Sequence, residues 1–170
     1  MKCSSLALLL FSILFSANTF AADTMIIVVR HAEKSTDDPK DPSLSEQGIA
    51  RASKLAAVLK DVDLKAVYAT QYKRTQQTGL IAATQNGLFV QVRAANKENT
   101  KTYTLDLLKE ILKKHRGEAV LIVGHSNTVP EIVKHLSNVD VTPIGENEFD
   151  RLYVITPGKN PRLVSVTYSP

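Results

Sequence analysis

The sequence predicts an α/β fold, a three-layer sandwich with a mostly parallel central sheet and helices on both faces. Three observations lead there. Strand-like and helix-like patterns alternate along the chain, the signature of a largely parallel sheet with crossover helices. Two runs, residues 25–29 and 119–123, are continuously apolar, as strands covered on both faces should be. No repeat, low-complexity tract or long linker divides the 170 residues, so one domain is expected.

Residues 1–21 read as a secretory signal peptide. Lys2 is a minimal charged start, residues 6–15 are apolar but for Ser12, and Thr19-Phe20-Ala21 offers small residues at both cleavage-specifying positions, with the cut after Ala21. The apolar stretch is shorter than the roughly 20 residues a membrane span needs, so no stable anchor is expected after processing. The expected location is the periplasm or the exterior. The single cysteine, Cys3, leaves with the leader, so no disulfide, thiolate nucleophile or cysteine-bound metal is expected.

Processing leaves residues 22–170 as the domain, enough for a sizeable core. Only Lys2 is lost from the charged set, taking the formal net charge from +4 to +3. That mild excess suits a small anion and argues against nucleic acid. The densest basic run, Lys113-Lys114-His115-Arg116, sits where a helix should end before Gly117, and cations are favourable at that pole.

The elements follow in order. Residues 25–29 form the first strand, and residues 35–43 a polar loop with three Asp and two Pro. Ser43 and Glu46 are spaced as a capping box, with Ser45 an alternative cap. Ile49, Ala52, Leu55, Ala56 and Leu59 then recur at helical spacing. Residues 66–69 are a short strand, 74–85 a helix, and 89–92 a weak strand. Thr104 is a possible cap for a helix carrying Leu105, Leu108, Ile111 and Leu112. Residues 119–123 are the next buried strand and 129–136 a short helix. Strands at 151–156 and 163–168, with a turn at Pro157-Gly158, close the chain.

Each apolar run opens onto a histidine: Arg30-His31-Ala32 after the first, Gly124-His125-Ser126-Asn127 after the second. In open α/β sheets ligands bind beyond the carboxyl ends of the strands, so one pocket built from both is expected, with the segment leading to Arg74 beside it. An imidazole titrating near 6.5 is largely neutral and nucleophilic at pH 7, and attack on phosphorus splits one hard displacement into two easier ones. Arg30 offers a fork of donors for phosphate oxygens, and Glu33 could fix the imidazole tautomer or balance charge. Arg74 near a helix start opposes the helix dipole, a conflict that an anion bound at that terminus would relieve. Ser126, Asn127 and Thr128 can cap the following helix, whose free N–H groups would add to phosphate binding. His115 and His135 lie near helix ends, where the dipole alone explains an imidazole.

These residues together resemble the histidine phosphatase superfamily, the phosphoglycerate-mutase-like enzymes named for an Arg-His-Gly signature, and within it a secreted small branch close to phosphohistidine phosphatases. The signature reads Arg30-His31-Ala32-Glu33 here. Leu44-Ser45-Glu46-Gln47-Gly48 resembles the family's helix start, Tyr68-Ala69-Thr70 through Arg74-Thr75-Gln76-Gln77-Thr78 its second arginine segment, and Val123-Gly124-His125 its second histidine. The resemblance implies His31 as the phosphorylated nucleophile and Arg30, Arg74 and His125 as the phosphate pocket, with Ser126 and Asn127 beside it. Two departures stand out: Ala32 replaces the usual glycine, and Ser126-Asn127 replaces the commoner glycine after the second histidine.

The family typically places its proton donor on an insert after the second arginine, and Glu98 is the best-placed carboxyl group, with Glu33, Glu146 and Glu148 as alternatives. No Asp/Glu/His set has metal-site spacing; Asp37, Asp38 and Asp41 lack the remaining positions of a calcium loop, so neither metal nor cofactor is expected. The expected partner is a small phosphorylated substrate or inorganic phosphate. The leading expectation is a metal-independent phosphomonoesterase. Its rivals are a phosphate-binding module without catalysis, a phosphoglycerate-mutase-type phosphotransferase, and a serine hydrolase built on Gly124-His125-Ser126. The last lacks the second glycine of its elbow, which is Thr128 here.

Overall fold

A computed structural model describes residues 23–96, 99 and 102–169. The proposed leader and Glu98 lie outside the described residues. Ten elements follow one another: β1 (Met25–Arg30), α1 (Glu46–Val58), β2 (Leu64–Ala69), α2 (Lys73–Gln85), β3 (Val90–Val92), α3 (Tyr103–Lys114), β4 (Ala119–Gly124), α4 (Thr128–Ser137), β5 (Arg151–Thr156) and β6 (Arg162–Thr167). The strands form one sheet in the order β3-β2-β4-β1-β5-β6. The first four of these are mutually parallel, while β5 runs antiparallel to β1 and β6 antiparallel to β5.

Strand periodicity divides the core into two layers. Ile26 and Val28 of β1, with Tyr68, Val120 and Ile122, pack under α3 and α4 through Leu107, Leu108, Ile111, Ile132 and Val133. Ile27 and Val29, with Val67, Leu121 and Val123, pack under α1 and α2 through Leu55, Ala56, Ala82 and Ala83. Both faces of β1 and β4 are therefore covered, which is why their sequences do not alternate.

Local chemistry departs from the sequence reading at several helices. Ser45, not Ser43, caps α1: its hydroxyl accepts from Gly48 N at 3.1 Å, while Ser43 belongs to the preceding loop, its N–H donating to Asp37. Gly48 lies so close to the chain after β1 that a Cβ there would stand 2.1 Å from the Glu33 carbonyl oxygen. That approach turns Gly48, Arg51, Ala52 and Leu55 inward and leaves Ile49 54% exposed. In α3 the inward stripe is Tyr103, Thr104, Leu107, Leu108 and Ile111, so Leu105 and Leu112 face outward. Thr104 is no cap; the helix starts at Tyr103, and the Thr104 hydroxyl donates to Glu131 at 3.2 Å. Neither Asn127 nor Ser126 makes a side-chain cap on α4. Thr128 Oγ1 instead accepts from His125 N at 2.9 Å, room for which depends on Gly124, where a Cβ would lie 2.7 Å from that oxygen. The anion at the start of α2 is the chain's own: Asp41 accepts from Lys73 N at 2.9 Å.

Candidate active site

The site follows from strand register. Arg30 pairs with Gly124 across the parallel β1–β4 ladder, and His31 N continues it by donating to the Gly124 carbonyl at 2.9 Å. The residues that come next, His31 and His125, leave adjacent strands side by side, since neighbouring strands stand about 4.8 Å apart. Their ring centroids are 5.3 Å apart. Arg30, Arg74, Ser126 and Asn127 line the same cavity of about 760 Å³, and Tyr72, Glu131 and Glu146 complete its working wall. The structure thus brings together every described residue expected at the site.

Both imidazoles are neutral at pH 7. Burial, opposed by a hydrogen bond to Ala32 and assisted by Arg74, Arg30 and Lys34, lowers His31 to about 4. Burial lowers His125 to about 3, with the charges of His31, Arg74 and Arg30 acting the same way. His31 Nδ1 lies 2.8 Å from the Ala32 carbonyl, which can only accept, so Nδ1 carries the proton and Nε2 keeps its lone pair. Glu33 does not fix this tautomer. It is held by Arg51 through contacts of 2.7 to 3.0 Å, and that pair pins the chain after β1 onto α1. Thr70 Oγ1 sits 2.9 Å from His125 Nε2 and orients the second ring.

Ala32 fits without strain. It is fully buried against Leu44 and Ala52, its backbone has no positive φ, and its N–H donates to Thr78 Oγ1 at 2.9 Å. The Arg30 guanidinium donates from Nη1 to the carbonyls of Gly145 (2.7 Å) and Glu148 (2.8 Å), lies 4.2 Å from the Phe149 ring, and has its Nε buried without a partner. Burial lowers its pKa, countered by Glu146, Glu148 and Glu33. The Arg74 guanidinium lies 4.3 Å from the Tyr72 ring, and burial lowers its pKa too. Two guanidinium groups, with Lys34 beside them, and two neutral imidazoles, one with its tautomer fixed by backbone, suit one tetrahedral anion.

Of the alternative carboxyl groups, Glu33 is committed to Arg51, and Glu148 accepts from Gly145 N and pairs with Arg151. Glu146 lines the cavity, and so does Glu131, which sequence reading missed. Also missed were Thr70, Tyr72 and Phe149. Thr70 had a signal, a hydroxyl one residue past a buried strand; Phe149 lies in a patternless loop. His115 lies elsewhere, between Tyr68 Oη at 3.0 Å and Glu118 at 2.7 Å, closing the end of α3.

The family model of the histidine phosphatase superfamily (branch 1) matches residues 26–101. That segment carries the sequence pattern of this superfamily. A search of curated proteins returns no match. Among solved structures, mycobacterial glucosyl-3-phosphoglycerate phosphatase in complex with inorganic phosphate is similar at 14% identity with a TM-score of 0.67, over 85% of this chain and 97% of that one. A candidate phosphohistidine phosphatase, SixA, from Agrobacterium tumefaciens shares 20% identity with a TM-score of 0.63, over 85% and 98%. The phosphoserine phosphatase from Entamoeba histolytica in complex with 3-phosphoglyceric acid shares 14% with a TM-score of 0.63, over 86% and 97%. These likenesses extend the shared fold beyond the segment matched by the family model.

Proposed function

We propose that the protein is a phosphomonoesterase that works through a covalent phosphohistidine on His31, without a metal ion, on small phosphorylated substrates in the periplasm or outside the cell. The observation that carries this reading is the 5.3 Å pairing of His31 and His125 between two guanidinium groups on one cavity. Arg30 and Arg74 hold the nonbridging phosphate oxygens and offset charge that develops during transfer. His31 Nε2 attacks phosphorus, a P–N bond forms, and the bond from phosphorus to the ester oxygen breaks. The leaving oxygen takes a proton from a carboxylic acid, for which Glu131 and Glu146 line the cavity and Glu98 is the candidate from sequence. Water then attacks phosphorus and gives its proton to the same carboxylate; the P–N bond breaks, releasing phosphate and neutral His31. With Thr70 donating to Nε2, His125 turns its Nδ1–H to the phosphoryl oxygens.

The test is hydrolysis of an aryl phosphate by the purified protein, with and without chelator, alongside His31→Ala and Glu→Gln changes at 98, 131 and 146. Turnover that survives chelator, disappears with His31→Ala and leaves a acid-labile phosphoprotein in the wild type is expected. An active His31→Ala enzyme would refute the covalent role. Phosphate binding without turnover would favour the binding module, and transfer between sugar acids instead of to water would favour the mutase. The proton donor is the position whose Gln variant loses alkyl phosphates far more than aryl ones, because an aryl oxide leaves without protonation.

A further inference from the structure

Arg30 is gripped by the fold from several directions. β5 is antiparallel to β1, and their register pairs Val29 with Leu152, so the segment entering β5 lies beside the carboxyl end of β1. That segment takes Nη1 of Arg30 with two carbonyls, those of Gly145 at 2.7 Å and Glu148 at 2.8 Å. It also covers the guanidinium with Phe149 at 4.2 Å, whose ring centre is 6.0 Å from that of His31. The clasp is itself braced: Glu148 accepts from Gly145 N at 2.7 Å and pairs with Arg151, which donates to the Thr142 carbonyl at 3.1 Å. With Nη1 occupied, the uncommitted edge of the fork is Nε with Nη2, and Nε is buried with no partner. A buried donor left unpaired is costly, and a planar fork binds tetrahedral oxyanions through two parallel N–H groups.

We propose that Phe149, with the carbonyl clasp of Gly145 and Glu148, is a positioning device that commits Arg30 to side-on, two-pronged capture of the phosphoryl group through Nε and Nη2. This role rests on the phosphate site proposed above. Phe149 offers no polar atom to the reacting group, although its ring stands 6.0 Å from that of His31; it acts through Arg30, holding the guanidinium plane by its π face and keeping water off a donor edge reserved for the ligand. A leucine would fill similar space without that face, so the role is specific to an aromatic ring.

The experiment measures KM and kcat for an aryl phosphate and the Kd of inorganic phosphate by calorimetry for wild type, Phe149→Ala, Phe149→Leu and Phe149→Tyr, each also combined with Arg30→Ala. Phe149→Ala and Phe149→Leu should each raise the phosphate Kd and KM on the order of tenfold, with Phe149→Tyr near wild type. In the Arg30→Ala background, Phe149→Ala should add less than about twofold, because a device acting through Arg30 has nothing left to position. Wild-type phosphate affinity in Phe149→Leu, or losses that multiply in the double variant, would overturn the role while leaving the phosphatase reading intact. A wild type that neither hydrolyses esters nor binds phosphate overturns both.

Discussion

Acidification should cost this protein stability through His31, and by an amount the structure sets. A histidine whose folded pKa is depressed takes up its proton more readily when unfolded. Between the ordinary 6.5 and the folded value of about 4, the unfolded chain therefore binds more protons, and stability falls as pH falls through that window. Going from pH 7.5 to 4.5, the linkage amounts to roughly 2–3 kcal/mol for this one side chain. Carboxylates also titrate there, so the comparison is with His31→Gln, which removes the imidazole and leaves the remaining groups in place. Urea unfolding of both proteins at half-unit pH intervals isolates the difference. The wild type should lose roughly 2–3 kcal/mol more than the variant, about 5–10 °C in melting temperature for a domain of this size. Parallel loss in the two proteins down to pH 4.5 would refute the neutral, buried imidazole on which the nucleophile assignment rests.

Three further outcomes follow from particular contacts. Gly48→Ala should destabilise by about 3 kcal/mol in urea titrations, because its Cβ would meet the Glu33 carbonyl oxygen, backbone against backbone, at 2.1 Å. Arg51→Ala should cost about 3–5 kcal/mol at pH 7 by stranding Glu33, a loss that calorimetry should find smaller at pH 4, where the carboxyl group can protonate. Thr70→Val, read by steady-state kinetics with a thermal melt as control, should lower kcat/KM about tenfold by freeing the His125 ring from its 2.9 Å contact, the worth of one hydrogen bond.

What could be read in the sequence is what register and strand ends determine. β1 and β4 are apolar throughout because helices cover both faces, and the residue after each falls at the open end of the sheet. His31, His125 and Arg30 were legible for that reason. Arg74 was legible through the family resemblance of the segment running to Thr78, whose hydroxyl meets Ala32 N. Partner choice was not legible. Nothing local to Glu33 says that Arg51, one helix later, holds it, or that Asp41 caps α2 from across the loop. Helix faces were misjudged where a close backbone approach, at Gly48, outranked the hydrophobic count and turned Ile49 outward.

The antiparallel direction of β5 is the feature that most shapes the site and least marks the sequence. A parallel β5 would enter the sheet from the opposite end and leave the carboxyl end of β1 without its carbonyl clasp. Running antiparallel, it brings residues 145–149 onto Arg30. The pocket thus combines two kinds of support. The imidazoles hang from adjacent parallel strands in fixed register, so their spacing cannot change without shifting the sheet. Arg30 is gripped, and Glu146 presented, by a segment outside any strand that is itself anchored in the core through Ile144. Variation in substrate choice should accordingly concentrate in positions such as Glu146 that line the cavity without holding Arg30, while the separation of the two histidines stays constant.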